Sequence, residues 1–263
     1  MNALRTSATI RTHAVMGTMA SVHVHDRADP VGIDAAVDAL WLELDRLEAV
    51  FSTFRESSAI SRINRGELHL LDAGAEVIEV VDACTWLEHI SGGAFRTRRP
   101  GNTLVDPAGF VKGWAAELAA HCLDRAGLRQ WYLSVGGDIQ TRGTAGDGSP
   151  WRIGIADPES DDAHAIRAIV EVVGEAVATS GTAARGRHLW DGRTGRPSDA
   201  LSSMTVVGPH LTWADAFATA AFVMGNEGVD WVAGFDGYRA LAITSAGELL
   251  HRASQWAAPA RAA

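Results

Sequence analysis

Five short runs follow one another through the second half of the chain: Trp131-Tyr-Leu-Ser-Val135, Trp151-Arg-Ile-Gly-Ile155, Ala165-Ile-Arg-Ala-Ile-Val-Glu-Val172, Ala176-Val-Ala-Thr179 and Met204-Thr-Val-Val207. Each has the length and side-chain character of a strand, and the first runs directly into the turn formers Gly136-Gly137. One helical pattern, at residues 212–224, separates them from a closing strand pair at 238–244 and 248–251. Strands in series, broken by isolated helices and ending in hairpin-like neighbours, predict an α+β fold with largely antiparallel sheet rather than a doubly wound one.

The first half of the chain carries the helices. Ala20, Val22 and Val24 alternate with Ser21, His23 and His25, a half-buried strand that opens after Met16-Gly17-Thr18. Ile33, Val37, Leu40, Leu44, Leu47 and Phe51 then recur at three- and four-residue steps, the stripe of a helix lying on the core. A second helix is predicted over residues 76–90, with Val77, Val81, Cys84 and Leu87 inward and Gly92-Gly93 as its stop. A third begins near Lys112, carries Trp114, Leu118 and Cys122, and ends at Gly127.

With 263 residues, 47% of them apolar, the chain can fill a core without staples and is read as a single domain over 1–263. Its 23 Lys and Arg stand against 32 Asp and Glu, a formal charge of -9 that argues against a sequence-independent grip on nucleic acid or anionic lipid. A phosphate-bearing ligand would need local cations. Residues 1–18 contain no apolar run of signal-peptide or membrane-span length, so no membrane insertion is expected. The only cysteines, Cys84 and Cys122, both fall in helical patterns, which indicates no disulfide and a reducing, cytoplasmic setting.

Several short segments carry chemistry, and each has a plainer reading. Asp215 and Thr219 stand four apart and share a helix face as hard oxygen donors suited to Mg2+, but Thr212 and Asp215 also have the spacing of a capping box. Residues 106–113 place Asp106, Gly109 and Lys112 just before a helix whose positive end favours phosphate, or else form a turn with a solvated lysine. This is no Walker A loop, since Val111 precedes Lys112 and Gly113 follows it. Gly136-Gly137-Asp138 and Thr179-Ser180-Gly181 end strands as ligand cradles or as ordinary turns. His188 lies in a loop dense in arginine, where it is a proton acceptor, a phosphate ligand or a surface residue. His23 and His25 have no identifiable third metal ligand, and no Gly-x-Ser-x-Gly motif supports a nucleophilic serine.

The order of these segments is more specific than any one of them. Met16-Gly17-Thr18, Phe51-Ser-Thr-Phe54-Arg-Glu-Ser-Ser58 with Asn64, Gly93-Ala94-Phe95, 106–113, Gly136-Gly137-Asp138, Trp151-Arg-Ile-Gly-Ile155, Thr179-Ser180-Gly181, 188–195 and Ala214-Asp215-Ala216 with Thr219 resemble the FAD:protein FMN transferases, the ApbE family, over residues 12–250. The resemblance implies two interlocked α+β lobes with largely antiparallel sheets and flanking helices, with FAD in the cleft between them. It implies Met16 and Phe54 at the flavin end, near Gly17 and Thr18, and Ala94, Phe95 and Arg96 along the pocket. Asp106, Lys112, Gly136, Gly137, Asp138, Thr179 and Ser180 would hold the cofactor, together with His188 and Leu189. The Gly109 carbonyl, Asp215 and Thr219 would ligate Mg2+, and His188, Lys112 and Asp215 would be the catalytic residues.

The reaction so implied transfers FMN from FAD to a threonine hydroxyl of an acceptor flavoprotein and releases AMP. The alternatives are an Mg2+-dependent FAD pyrophosphatase and a non-catalytic FAD-binding protein. The chain departs from the family pattern at Phe54 for tyrosine, Arg96 for aspartate, Gly192 for proline, Ala183 and Ala184 for tyrosine and an acid, and Ala218 for a second acid. The stretch between Phe95 and Asp106 is also shorter than usual. No Asp-Gly-Ala-Thr or Ser-Gly-Ala-Thr occurs in the chain, so the implied acceptor is a separate protein.

Overall fold

The structure, a computed structural model, describes residues 8–160, 162, 164–182 and 189–251. The chain opens with a hairpin of β1 (Thr9–Val15) and β2 (Thr18–Val24) and continues into α1 (Pro30–Phe51), α2 (Ala59–Asn64), a single 3-10 turn (Leu70–Asp72), α3 (Ala75–Ile90) and α4 (Ala108–Arg125). Next come β3 (Trp131–Val135), β4 (Asp138–Arg142), β5 (Trp151–Ala156), β6 (Ile166–Val172), β7 (Ala176–Gly181) and β8 (Leu201–Gly208). The chain then forms α5 (Leu211–Met224), α6 (Glu227–Val232), β9 (Arg239–Thr244) and β10 (Leu249–His251).

Eight strands form one sheet in the order β1-β2-β3-β4-β7-β8-β9-β10, and β5 and β6 form a separate two-stranded hairpin. Every pairing is antiparallel. The fold is therefore α+β with antiparallel sheet, as the series of strand patterns predicts.

Side-chain alternation explains what covers each face. Ala176 and Ala178 of β7, Met204 and Val206 of β8, and Ala240 and Ala242 of β9 point into the large core with α1, α4 and α5. Their neighbours Val177, Val207 and Leu241 point the other way, into a smaller cluster with Trp151, Ile155, Val170 and Val172 of the β5–β6 hairpin. Burial on both faces is why β7 to β9 read as nearly continuous apolar runs. In β2 only Ala20, Val22 and Val24 are buried, so its pattern alternates.

The helices follow their stripes. Pro30 sits in the first turn of α1, where its missing N–H costs nothing, and all six stripe residues from Ile33 to Phe51 are buried. Helix α5 is buried on nearly all sides because Ala214, Ala216, Ala218, Ala220 and Ala221 let it lie between the sheet and α4. Its crossing with α4 leaves no room at Gly113: a Cβ there would lie 2.7 Å from the Cβ of Asp215 and 2.8 Å from the Leu211 carbonyl oxygen. Small residues at this crossing set the separation of the two helices that carry the site.

Two expectations change. Helix α4 begins at Ala108, so Lys112 lies in its second turn rather than ahead of it. Asp106 turns the chain into that helix by accepting a hydrogen bond from the Ala108 N–H at 3.0 Å, and the poor helix formers Gly109 and Gly113 fall within its first two turns. Strands β1 and β4 were not predicted, since each relies on its sheet partners more than on its own apolar content. No helix among the described residues is long and apolar enough to cross a membrane.

Candidate active site

Two tight turns meet at one end of the sheet. Met16 and Gly17 join β1 to β2 with φ of 53° and 68°, and Gly136 and Gly137 join β3 to β4 with φ of 61° and 96°. Positive φ at both central residues is what a two-residue type I′ hairpin requires, and glycine takes it without strain. Because β2 pairs with β3, the turns lie side by side: the Gly136 N–H donates to the Met19 carbonyl at 3.0 Å, and a Cβ at Gly136 would press on Thr18 at 3.1 Å. Backbone rather than side chains therefore floors this end of a cleft of about 1080 Å³. That is at the top of the size range of small-molecule pockets, roughly 300–1,000 Å³, and is roomy enough for a dinucleotide.

The walls come from distant parts of the chain. Ala94, Phe95 and Arg96 follow α3, Asp106, Gly109 and Lys112 belong to the start of α4, and Thr179 and Ser180 end β7. Asp215 and Thr219 face in from α5, and Leu189 closes the rim. Asp138 lies beneath the surface, 1% exposed, where its Oδ1 accepts a hydrogen bond from the Thr179 N–H at 2.9 Å.

Lys112 is the electrostatic centre. Its ammonium pairs with Asp138 Oδ2 and stands 3.3 Å from Asp215 Oδ1. Both carboxylates are almost fully buried, and Asp215 gains a further donor from the Gly113 N–H at 3.0 Å. One cation thus answers two anions in a region shielded from water, where an unpaired charge is costly.

The oxygen donors around Asp215 suit a hard divalent ion. Thr219 lies one turn further along α5, its hydroxyl is 3.2 Å from that of Ser180, and a Cβ at Gly109 would sit 3.4 Å from the Thr219 methyl. Among the described residues no group of three or more His, Cys, Asp and Glu comes together, so the donors at hand are carboxylate, hydroxyl and carbonyl oxygens. Mg2+ takes one or two carboxylates and completes its shell with water and phosphate, which fits this set.

The capping-box reading of Thr212 and Asp215 is not what the chain does. His210 is the N-cap residue of α5, and Asp215 points to α4 instead. Glu117 of α4 supplies the cap, accepting hydrogen bonds from the Thr212 N–H at 2.8 Å and hydroxyl at 2.6 Å, and its other oxygen lies 2.8 Å from His210 Nδ1.

Some named residues lie elsewhere. Phe54 is 96% exposed on the loop after α1, and Met16 packs on the edge of the core; neither lines the cleft. His188 falls outside the described residues, as do Ala183 and Ala184. Gly192 donates its N–H to the Ala94 carbonyl at 2.9 Å, a bond that proline could not make, and a Cβ there would meet the Gly93 carbonyl oxygen at 2.3 Å. The side chain of Arg193 forks onto Asp191; burial opposes charge on that carboxyl, but these hydrogen bonds hold it below the usual carboxylate range. Ser202 and Ser203 at the start of β8 and residues 154–158 at the end of β5 also line the cleft. Gly154 and Ile155 belong to the Trp151–Ile155 motif, whereas Ser202, Ser203 and residues 156–158 lie just outside the predicted strands and carry no chemical motif.

The profile of the ApbE family matches residues 16–98 and 96–242. An FAD:protein FMN transferase of Klebsiella pneumoniae is 32% identical over 188 residues, covering 66% of this chain and 53% of its own, and one of Escherichia coli is 32% identical over 187 residues with the same shares. The chain spans about half the length of these curated relatives. The flavin transferase ApbE from Vibrio cholerae superposes with a TM-score of 0.77 at 24% identity, over 94% of this chain and 97% of that one. The ApbE protein from Thermotoga maritima gives 0.78 at 22% identity, over 93% and 96%.

Proposed function

The chain belongs to the ApbE family, and from that premise we propose that it transfers the FMN portion of FAD to a threonine hydroxyl of an acceptor protein and releases AMP. The observation that carries this reading is the single ammonium of Lys112 set between buried Asp138 and Asp215 at the wall of a dinucleotide-sized cleft. The names of the relatives, each an FAD:protein FMN transferase, support it.

In this reading Lys112 would offer its charge to the pyrophosphate oxygens, and the turns at Gly17 and Gly136-Gly137 would let the dinucleotide approach the backbone. Asp215, Thr219 and the Gly109 carbonyl would hold Mg2+, whose chemistry is to neutralise charge on the phosphate oxygens. The threonine oxygen attacks the flavin-side phosphorus, the bond from that phosphorus to the bridging oxygen breaks, and AMP leaves with the electron pair. The proton of the threonine goes to His188, a role that rests on the sequence resemblance. The walls contribute by holding donor and acceptor in line, which removes orientational freedom before the reaction. Both cysteines are buried free thiols, which suits a reducing cytoplasm.

Incubation of the protein with FAD and Mg2+, with and without a threonine-bearing acceptor peptide, tests the reading. AMP released only when the peptide is present, with FMN attached to it, is the expected outcome. AMP released equally without it makes the protein a pyrophosphatase, and FAD bound but intact in both makes it a binding protein.

A further inference from the structure

The cleft mouth is charged in a way the whole chain is not. In a protein of formal charge -9, the described residues of two loops, 96–105 and 189–197, carry Arg96, Arg98, Arg99, Arg193 and Arg196 against one acid, Asp191. All five arginines are exposed. The loops are sewn together: Arg99 donates twice to the Gly195 carbonyl, at 2.8 and 3.2 Å, and the Gly192 N–H binds the Ala94 carbonyl at 2.9 Å. Arg96 pairs with Glu88 and Arg193 with Asp191, while among the described residues no acid pairs with Arg98, Arg99 or Arg196. Both loops reach the cleft, through Arg96 on one and Leu189 and Trp190 on the other, while the remaining four arginines are exposed beside it rather than within it.

Acids line the cleft from other segments: Asp106 precedes α4, Asp157 and Asp162 follow β5, and the Ser202 hydroxyl donates to Glu159 at 2.6 Å. A partner approaching this mouth meets arginines and acids on separate segments, an arrangement that selects both its charge and its orientation.

We propose that the arginine edge is the docking surface for an acidic segment of the acceptor protein, flanking its target threonine. This deepens the transferase reading and rests on it for the identity of the occupant. Arginine suits the task because its planar fork binds carboxylates in two bonds and loses little freedom in doing so. The effect should be strongest in encounter and register, and should weaken as salt screens exposed charges.

The test uses two fluorescent peptides with the same Ser-Gly-Ala-Thr centre, one flanked by aspartates and one by lysines, together with a single-stranded oligonucleotide. Binding is read by anisotropy on the whole protein, and FAD affinity separately by flavin fluorescence. The expected result is that the aspartate peptide binds about tenfold more tightly than the lysine peptide at low ionic strength, with most of the advantage lost at about 0.3 M salt. The Arg98→Glu, Arg196→Glu double variant should lose that preference while its FAD affinity and melting temperature stay unchanged. Equal binding of the two peptides, a preference that survives the charge reversal, or stronger binding of the oligonucleotide than of the aspartate peptide would overturn the proposal. Preferential docking without FMN transfer would leave the surface standing and remove the proposed reaction instead.

Discussion

Lys112 shares its charge between two carboxylates that are each tied to backbone, Asp138 to the Thr179 N–H and Asp215 to the Gly113 N–H. That tying fixes where the ammonium can stand. Lys112→Met keeps the aliphatic stem and removes the charge-assisted contact with phosphate, so FAD affinity should fall by about tenfold or more, as expected for a hydrogen bond to a charged group of roughly 1.5–3 kcal/mol; an unchanged flavin titration would show that the lysine does not meet the ligand. A second residue-scale effect lies on the outer face of the sheet. His23 stacks on Tyr132 with ring centres 4.2 Å apart, and burial first, then the neighbouring His25, lowers its pKa below the usual 6.5. The folded state therefore disfavours the charged ring, and the unfolded chain takes up the proton first as pH falls. Stability is fully present above about 6.5 and declines as pH drops from there through the folded pKa. His23→Phe keeps the stack and cannot titrate, so its urea midpoint should fall less between pH 7 and pH 5 than that of the wild type. Equal falls would assign the acid sensitivity to other groups.

At the scale of elements, α4 and α5 form the part of the fold that decides the site, and Glu117 is the joint between them. It closes the start of α5 from α4, through both the backbone and the hydroxyl of Thr212. Glu117→Ala leaves those donors unpaired at a half-buried helix end and should lower stability by about 1–3 kcal/mol. Because α5 carries Asp215 and Thr219, divalent-ion affinity measured by calorimetry should fall in the same variant; a loss of stability with unaltered ion binding would mean that α5 is positioned by packing alone. Much of this architecture was legible beforehand. The stripe from Ile33 to Phe51 gave α1, and the alternation at Ala20, Val22 and Val24 gave β2, because each element buries one face and its pattern needs no partner to be read. Strand β4 has only Ile139 as an aliphatic residue, and β1 carries Arg11 and His13, so both owe their existence to the strands beside them. The Thr212 to Asp215 spacing misled for a related reason: the same residues that suit a local cap were taken up by contacts with α4, which no local pattern encodes. Gly113 is what lets Asp215 approach, and nothing in the local pattern encodes that role.

Across the whole molecule, one sheet separates two jobs. Its helical face holds the large core and, through α4 and α5, the charged residues of the cleft; its other face takes the β5–β6 hairpin, whose far end reaches round to the cleft rim. The order of motifs along the chain pointed to segments that lie far apart in sequence, and several of them line one cleft at this end of the sheet. Phe54 shows the boundary of that inference, since it stands in water, 96% exposed, and does not line the cleft. The central claim is that the pyrophosphate of FAD lies in the cleft against Lys112, with a divalent ion held on the Asp215–Thr219 face of α5. A crystal structure of the protein with FAD and Mg2+ tests it most directly: the account places the two phosphorus atoms within contact of Lys112 and the ion on Asp215 and Thr219, whereas a dinucleotide bound elsewhere, or a cleft left empty at saturating FAD, would contradict it.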